Sequence, residues 1–454
     1  MKKHNVDLTS GNVAKGLLLF VLPVLLSSIF QSAYNVTNSM IVGNYVSKEA
    51  LSAVSACNPI TSLFSNFFNG LGLGCGILIA RRYGAGKKED TSKSVESILI
   101  FSLVIGLITT LFAELFSGPL LSYCNVKSDI FDLADTYLKV YFIGNAAVIM
   151  YNMCFHIMRS LGDSSHPLYY LIFSTIMNIF LGLFFVRVIG LKVAGVALAS
   201  IISQTLVVLL SIRLILKHPE LSIDIKHLHF DVDDCKEVLR VGIPTGVQYC
   251  SVSLAMLLVQ SYVNMFPNAV IAGIGVSDRI SGWGNITTQA FGTALTTYVS
   301  QNIGAGDKER VKQGVKFASF FATGAGFVMC LILFLLAPQI VGLFNKDPEV
   351  IHHGTIAVRT VIFCHVPFGF SHYFNAACRG AGNIKVPTII SISTQCVARY
   401  LFCLIGMKLT HNSIIILYIG PLFTNTLCGL IAAGYYFFGK WPRKQDIVYS
   451  FRRT

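Results

Sequence analysis

From Val241 to Ser277 the chain reads VGIPTGVQYCSVSLAMLLVQSYVNMFPNAVIAGIGVS, without one Asp, Glu, Lys or Arg. About 20 apolar residues in a helix cross the hydrocarbon layer of a bilayer, so this stretch is long enough with residues to spare. It is not alone. Gly16–Ser47, Ala50–Ala80, Pro167–Val186, Val193–Ile212, Phe317–Asn345 and Leu409–Gly439 are equally free of charge. Ile98–Phe116, Leu138–Met158, Ile280–Gln301, Arg359–Cys378 and Pro387–Met407 are weaker runs of similar length. Lipid offers no partner to free backbone N–H and C=O groups, so the runs are expected to be helices rather than irregular chain. The reading is an all-α integral membrane protein with twelve transmembrane helices. The first run is too long for a typical signal-peptide core and reads as a retained span.

Composition agrees. Of the 454 residues 13% are charged and 54% are hydrophobic, where a soluble domain has about 25% charged. The net charge of +13 would suggest nucleic acid in a soluble protein, but its placement does not. With twelve spans, most Lys and Arg fall on one side: Lys2, Lys3, Lys15, Arg81, Arg82, Lys87, Lys88, Lys93, Arg213, Lys217, Lys308, Arg310, Lys312 and the Lys440–Arg453 tail among them. The other side holds Lys48, Lys127, Arg187, Lys192, Lys346 and Lys408. That bias places both termini in the cytoplasm, with the protein in the cell membrane. The 12 cysteines are scattered, without a Cys-x-x-Cys pair, and read as small hydrophobes; neither a metal nor a cofactor is expected.

The chain also repeats itself. Arg82-Tyr-Gly-Ala-Gly-Lys-Lys-Glu89 returns at a constant offset as Asn302-Ile-Gly-Ala-Gly-Asp-Lys-Glu309, and Arg159, Gly162 and Pro167 return as Arg379, Gly382 and Pro387. Pro23 matches Pro244 with one residue of slippage. The expected architecture is two pseudo-symmetric six-helix bundles, 1–217 and 237–454, the second with a short basic tail, joined by a cytoplasmic linker at 218–236. Six is even, so both halves enter from the same side as a parallel repeat, the arrangement alternating access requires.

The Gly-Ala-Gly turns read as helix ends, with glycine supplying a left-handed backbone and Lys the charge that suits a helix C-terminus. Asn69-Gly-Leu-Gly-Leu-Gly-Cys-Gly76 lies inside a span, and no strand precedes it, so close helix packing outweighs a nucleotide loop. Polar groups inside apolar runs are costly unless partnered, which makes them informative. The substrate-cavity candidates are Gln31, Asn35, Asn38, Asn178, Gln248, Gln260, Asn264, Gln289, Asn375 and Gln395. Interhelical hydrogen bonding is the plainer reading of each. His365 and His372 are seven apart, on one helical face. The one sizeable loop carries His218, His227, His229, Asp231, Asp233 and Asp234 and reads as a solvated linker whose alanine substitutions leave function intact, so no enzyme is expected.

The chain resembles the multidrug and toxic compound extrusion (MATE) family. The resemblance runs from Gly16 to Gly439 and rests on Pro23, Gln31–Gly43, Glu49-Ala-Leu-Ser-Ala-Val54, Gly242–Gln248, Gln260-Ser-Tyr-Val-Asn264, Gln301–Arg310 and Arg379-Gly-Ala-Gly-Asn383. It implies two lobes around a central cleft. It implies a monomeric secondary active antiporter that exports small amphipathic or cationic compounds, driven by H⁺ or Na⁺. The alternative is a lipid-linked saccharide flippase of related architecture. The family often has an aspartate in span one and another in span five; here those positions hold Asn38 and Gly182. An asparagine does not exchange a proton in this pH range. The ion-coupling candidates that remain are Asp278, then Glu114 and His365.

Overall fold

The computed structural model describes residues 6–439 other than 125, 225 and 412, without the side chains of Asn35, Ser39, Asn44, Lys48 and Tyr123. The terminal lysines and arginines and the side chain of Asn35 therefore lie outside the described residues. The first half of the chain forms α1 (Val13–Tyr45), α2 (Lys48–Gly84), α3 (Lys88–Tyr123), α4 (Ser128–Ile143), α5 (Asn145–Ser160), α6 (Ser165–Leu183) and α7 (Lys192–Leu216). The second forms α8 (Val232–Val263), α9 (Asn268–Gly304), α10 (Lys308–Leu335), α11 (Ala337–Phe344), α12 (Pro348–Val361), α13 (His365–Gly380), α14 (Lys385–Ser391), α15 (Arg399–Leu409) and α16 (Ile415–Phe438). There is no strand among the described residues. Ten helical spans are long and apolar enough to cross a membrane, and α4 with α5, bent by 50°, makes an eleventh. Among the described residues that is one short of the expected twelve: α9, 37 residues long, is not among these spans. Two spans pass through a π-helical stretch, at Phe184–Val188 and at Ile392–Ala398.

The surface shows why these helices need lipid. Leu103, Leu107, Leu111 and Leu115 form an exposed stripe along α3, one per turn, with Val104, Ile108 and Phe112 beside it. Such a stripe would be a large apolar patch in water. The protein is a multi-pass membrane protein.

The helices gather into two compact units. One contains residues 22–246 with 6–7; the other contains 8–21 and 247–439. In the first, α2 packs on α3, α4 and α5, α5 on α3 and α7, and α6 on α7. Its core runs through Leu71, Cys75, Leu78, Ile149, Met153, Ile157 and Val207 and takes in Val238 at the start of α8. In the second, α9 packs on α10, α12 and α13, and α13 on α10 and α16.

The glycines of Asn69–Gly76 do pack helices. A side chain on Gly70 would run into the backbone of Gly246, one on Gly74 into Val238 and Gly242, and one on Gly72 into the His156 ring. Both Gly-Ala-Gly turns end their helices with a left-handed glycine, Gly86 at φ 71° and Gly306 at φ 80°.

Candidate functional site

In the first unit the polar residues of the apolar spans meet at one serine. Ser200 on α7 donates its hydroxyl to the Val196 carbonyl at 3.1 Å, one turn back. Its oxygen accepts from the Asn178 amide on α6 at 3.0 Å and, at 3.5 Å, from Asn38 on α1. Both amides spend their N–H on Ser200, and the side-chain oxygens of Asn38 and Asn178 are buried without a hydrogen-bond partner among the described residues. Two inward amide oxygens can attract a cation but cannot carry a proton. Gly182 lies one turn beyond Asn178, and a side chain there would touch Ile41 at 3.3 Å and Ala199 at 3.9 Å. The position is lined by hydrocarbon.

The second unit has a matching hub on different helices. Ser391, the last residue of α14, accepts from the Gln248 amide on α8 at 2.8 Å and from Asn375 on α13 at 3.4 Å. The Gln248 oxygen in turn faces an Arg379 guanidinium nitrogen at 3.5 Å. Gln248, Asn375 and Ser391 are all buried. Gln395 lies in the π-helical stretch that follows and points its amide at Cys428.

Other candidates stand elsewhere. Gln260 near the end of α8 and Asn264 just past it are exposed and bonded to each other at 2.9 Å. Gln31 and Gln289 are exposed. Asp278 is exposed on α9, and Arg399 is the charged group that acts on it. His365 packs its ring on Gly284, with both ring nitrogens unpartnered among the described residues, and His372 packs on Gly292 two turns along. Glu114 belongs to a separate group on α3 and α4, where Asp135 pairs with Lys139 at 2.7 Å and accepts from Ser117 at 2.9 Å. Among the described residues no three His, Cys, Asp or Glu side chains could hold a metal together.

Sequence reasoning missed both serine hubs. A lone serine in an apolar helix bonds its own preceding turn and leaves no pattern to read. The linker is solvated only in part: His227, His229 and Asp233 are exposed, but His218 and Asp234 are buried. Its backbone is tied to α3: the Ser222 N–H bonds Ser92 at 2.9 Å, His229 N–H bonds Glu96 at 2.8 Å and Asp231 N–H bonds Ser97 at 2.9 Å. Asp234 is buried against Arg82 in a two-pronged pair, at 2.7 and 2.5 Å. A desolvated ion pair of this kind is not a position that tolerates alanine.

With the geometry in place, the likeness to known proteins is specific. The MatE family model matches residues 23–184 and again 244–405, once per repeat. The chain is 27% identical to "Probable multidrug resistance protein YoeA" of Bacillus subtilis (strain 168), over 96% of this chain and 95% of that protein. It is 25% identical to "Multidrug export protein MepA" of Staphylococcus aureus (strain MSSA476), over 84% of each. A solved structure, the outward-facing conformation of a multidrug resistance MATE family transporter of the MOP superfamily, has the same fold, with a TM-score of 0.89 over 96% of this chain and 97% of that one, at 23% identity. Duplicated spans, polar hubs inside them and a family match to each half lead to one conclusion: the chain belongs to the MatE family of membrane transporters.

Proposed function

We propose that the chain is a multidrug efflux transporter, working as a monomer by alternating access of two six-helix lobes, 1–217 and 237–454, with 218–236 and both termini in the cytoplasm. The observation that carries the reading is the duplication itself: each match to the family model contains its own set of buried amides in an otherwise apolar bundle. The relatives are named for multidrug resistance and multidrug export, and the substrate class proposed for this chain is small amphipathic or cationic compounds. The exposed polar side chains, Gln31, Gln260, Asn264 and Gln289, are the ones available to a guest; the buried amides hold helices in place. Cells expressing the protein should lose a fluorescent organic cation faster than cells with empty vector. Equal retention over a broad compound panel overturns the reading.

The transport is an exchange against H⁺ or Na⁺. At 100 mV one charge supplies about 2.3 kcal/mol, enough for roughly a fiftyfold gradient of a neutral substrate. Asn38 and Gly182 leave the first lobe without a carboxylate at the positions where the family often has one. Asp278 in the second lobe is then the foremost group to exchange a proton, ahead of Glu114 and His365. The two amide oxygens near Ser200 suit Na⁺ instead. Proteoliposomes given pH and Na⁺ jumps separate these: in Asp278→Asn the proton response should disappear. An unchanged response removes Asp278 from that role.

A further inference from the structure

Arg379 is among the largest fully buried side chains of the protein, 1% exposed, and no carboxylate lies within ion-pair distance of it among the described residues. A buried guanidinium is expensive unless an anion faces it. Among the described residues its one side-chain bond is the 3.5 Å contact with the Gln248 oxygen, and its Nε–H is buried with no partner. Asn375 and Arg379 are four apart on α13, and Thr388 and Ser391 are three apart on α14, so each pair shares a helix face. The Asn375–Ser391 bond at 3.4 Å turns those faces toward each other. The Thr388 hydroxyl is likewise buried and unpartnered among the described residues. The amides of Gln248 and Asn375 both donate to Ser391, which leaves its proton free to point elsewhere. The cluster is rich in donors and short of acceptors, and the helix changes to π geometry directly after Ser391, a distortion common at binding sites.

We infer that Arg379, Thr388 and Ser391 form a site for a small monovalent anion of halide size, which ties α8, α13 and α14 together. Size follows from enclosure: Arg379, Gln248, Asn375, Thr388 and Ser391 are all at least nine-tenths buried, so the cluster is closed to solvent and suits a small ion rather than an organic acid. The positive charge is supplied by the Arg379 guanidinium, whose planar fork of N–H donors suits an anion. The site is independent of the efflux reading, because a bound anion here would stabilise the second unit whatever the transporter carries.

The test uses the full chain purified in detergent. Its thermal midpoint should be higher in chloride than in gluconate at equal ionic strength and should saturate with chloride. Bromide should give an anomalous peak bordered by Arg379, Thr388 and Ser391. Thr388→Val keeps the shape and removes one donor. It should weaken the chloride midpoint concentration about tenfold, the loss expected for one hydrogen bond to a charge. Thr426→Val makes the same change at an exposed position of α16 and should leave that midpoint alone. Equal melting of the parent in both salts, a bromide peak elsewhere, or Thr388→Val with the parent's chloride response overturns the inference.

Discussion

The starts of α3 and α10 follow the same turn, yet each holds a different piece of chain by different chemistry. The backbones agree bond for bond: Ala85 N–H to the Arg81 carbonyl at 3.0 Å and Ala305 N–H to Gln301 at 2.9 Å, then Lys87 to Arg82 at 3.2 Å and Asp307 to Asn302 at 2.9 Å. In the first unit the turn's Arg82 holds Asp234, side chain to side chain. In the second the turn holds residues 8–11 through their backbone. Asn302 donates to the Leu8 carbonyl at 3.0 Å, and Arg310 donates to Gly11, Leu8 and Ser10 carbonyls at 2.9, 3.2 and 3.0 Å. Duplication has kept the geometry of the turn and left the chemistry of the grip free to diverge. One grip can be broken from either partner. The other can be broken only from the turn.

Asp234→Ala tests that contrast most severely. It removes the carboxylate that faces Arg82, whose side chain is 17% exposed, and should cost about 3 kcal/mol of stability, seen as an earlier thermal midpoint in detergent. Arg310→Ala should cost less, about 2 kcal/mol, because part of its grip is already exposed to water. Equal losses would mean that burial does not separate the two grips. Smaller again are Gly86→Ala and Gly306→Ala. Neither site has an atom within 4 Å of an added Cβ, so only the left-handed backbone is strained, by about 1 kcal/mol in each case. A marked difference between the two would show that the turns are not equivalent after all.

The parts of this picture that the sequence displays are those with short-range causes. Uncharged runs such as Val241–Ser277 give the spans, and Gly86 and Gly306 give the turns. The twinned Arg159 and Arg379 give the repeat. Each of these needs only neighbours along the chain or a second copy to be recognised. Ser200, Ser391 and the Arg82–Asp234 pair depend on partners many residues away, and nothing in their own surroundings marks them. Asp234 sits among His227, His229, Asp231 and Asp233, a context that resembles any hydrated loop, and only the fold singles it out. Gln248 and Asn375 were legible as polar residues in apolar helices, but not as donors to the same hydroxyl.

The finest distinction between the two grips is pH. The segment held by the first unit begins at His218, which is buried and accepts the Glu220 N–H on Nδ1 at 3.3 Å. That bond requires a neutral ring. Burial holds the imidazole below its ordinary range, against the pull of Asp163 and Glu220. A histidine whose folded pKa is lowered binds its proton more readily in the unfolded state, so its contribution is intact above about pH 6.5 and erodes as pH falls below that. Amide exchange in the 217–231 segment should therefore quicken between pH 7.5 and 5.5 by a few fold beyond the ordinary pH dependence of exchange. His218→Asn keeps an acceptor for the Glu220 N–H in the manner of an Asx turn and cannot titrate. In that variant the excess should vanish, while residues 8–11, held by an arginine, show no such excess in either protein. An excess that survives the substitution would remove His218 as its source and make the linker's whole grip on α3, rather than its first turn, the part that acid loosens.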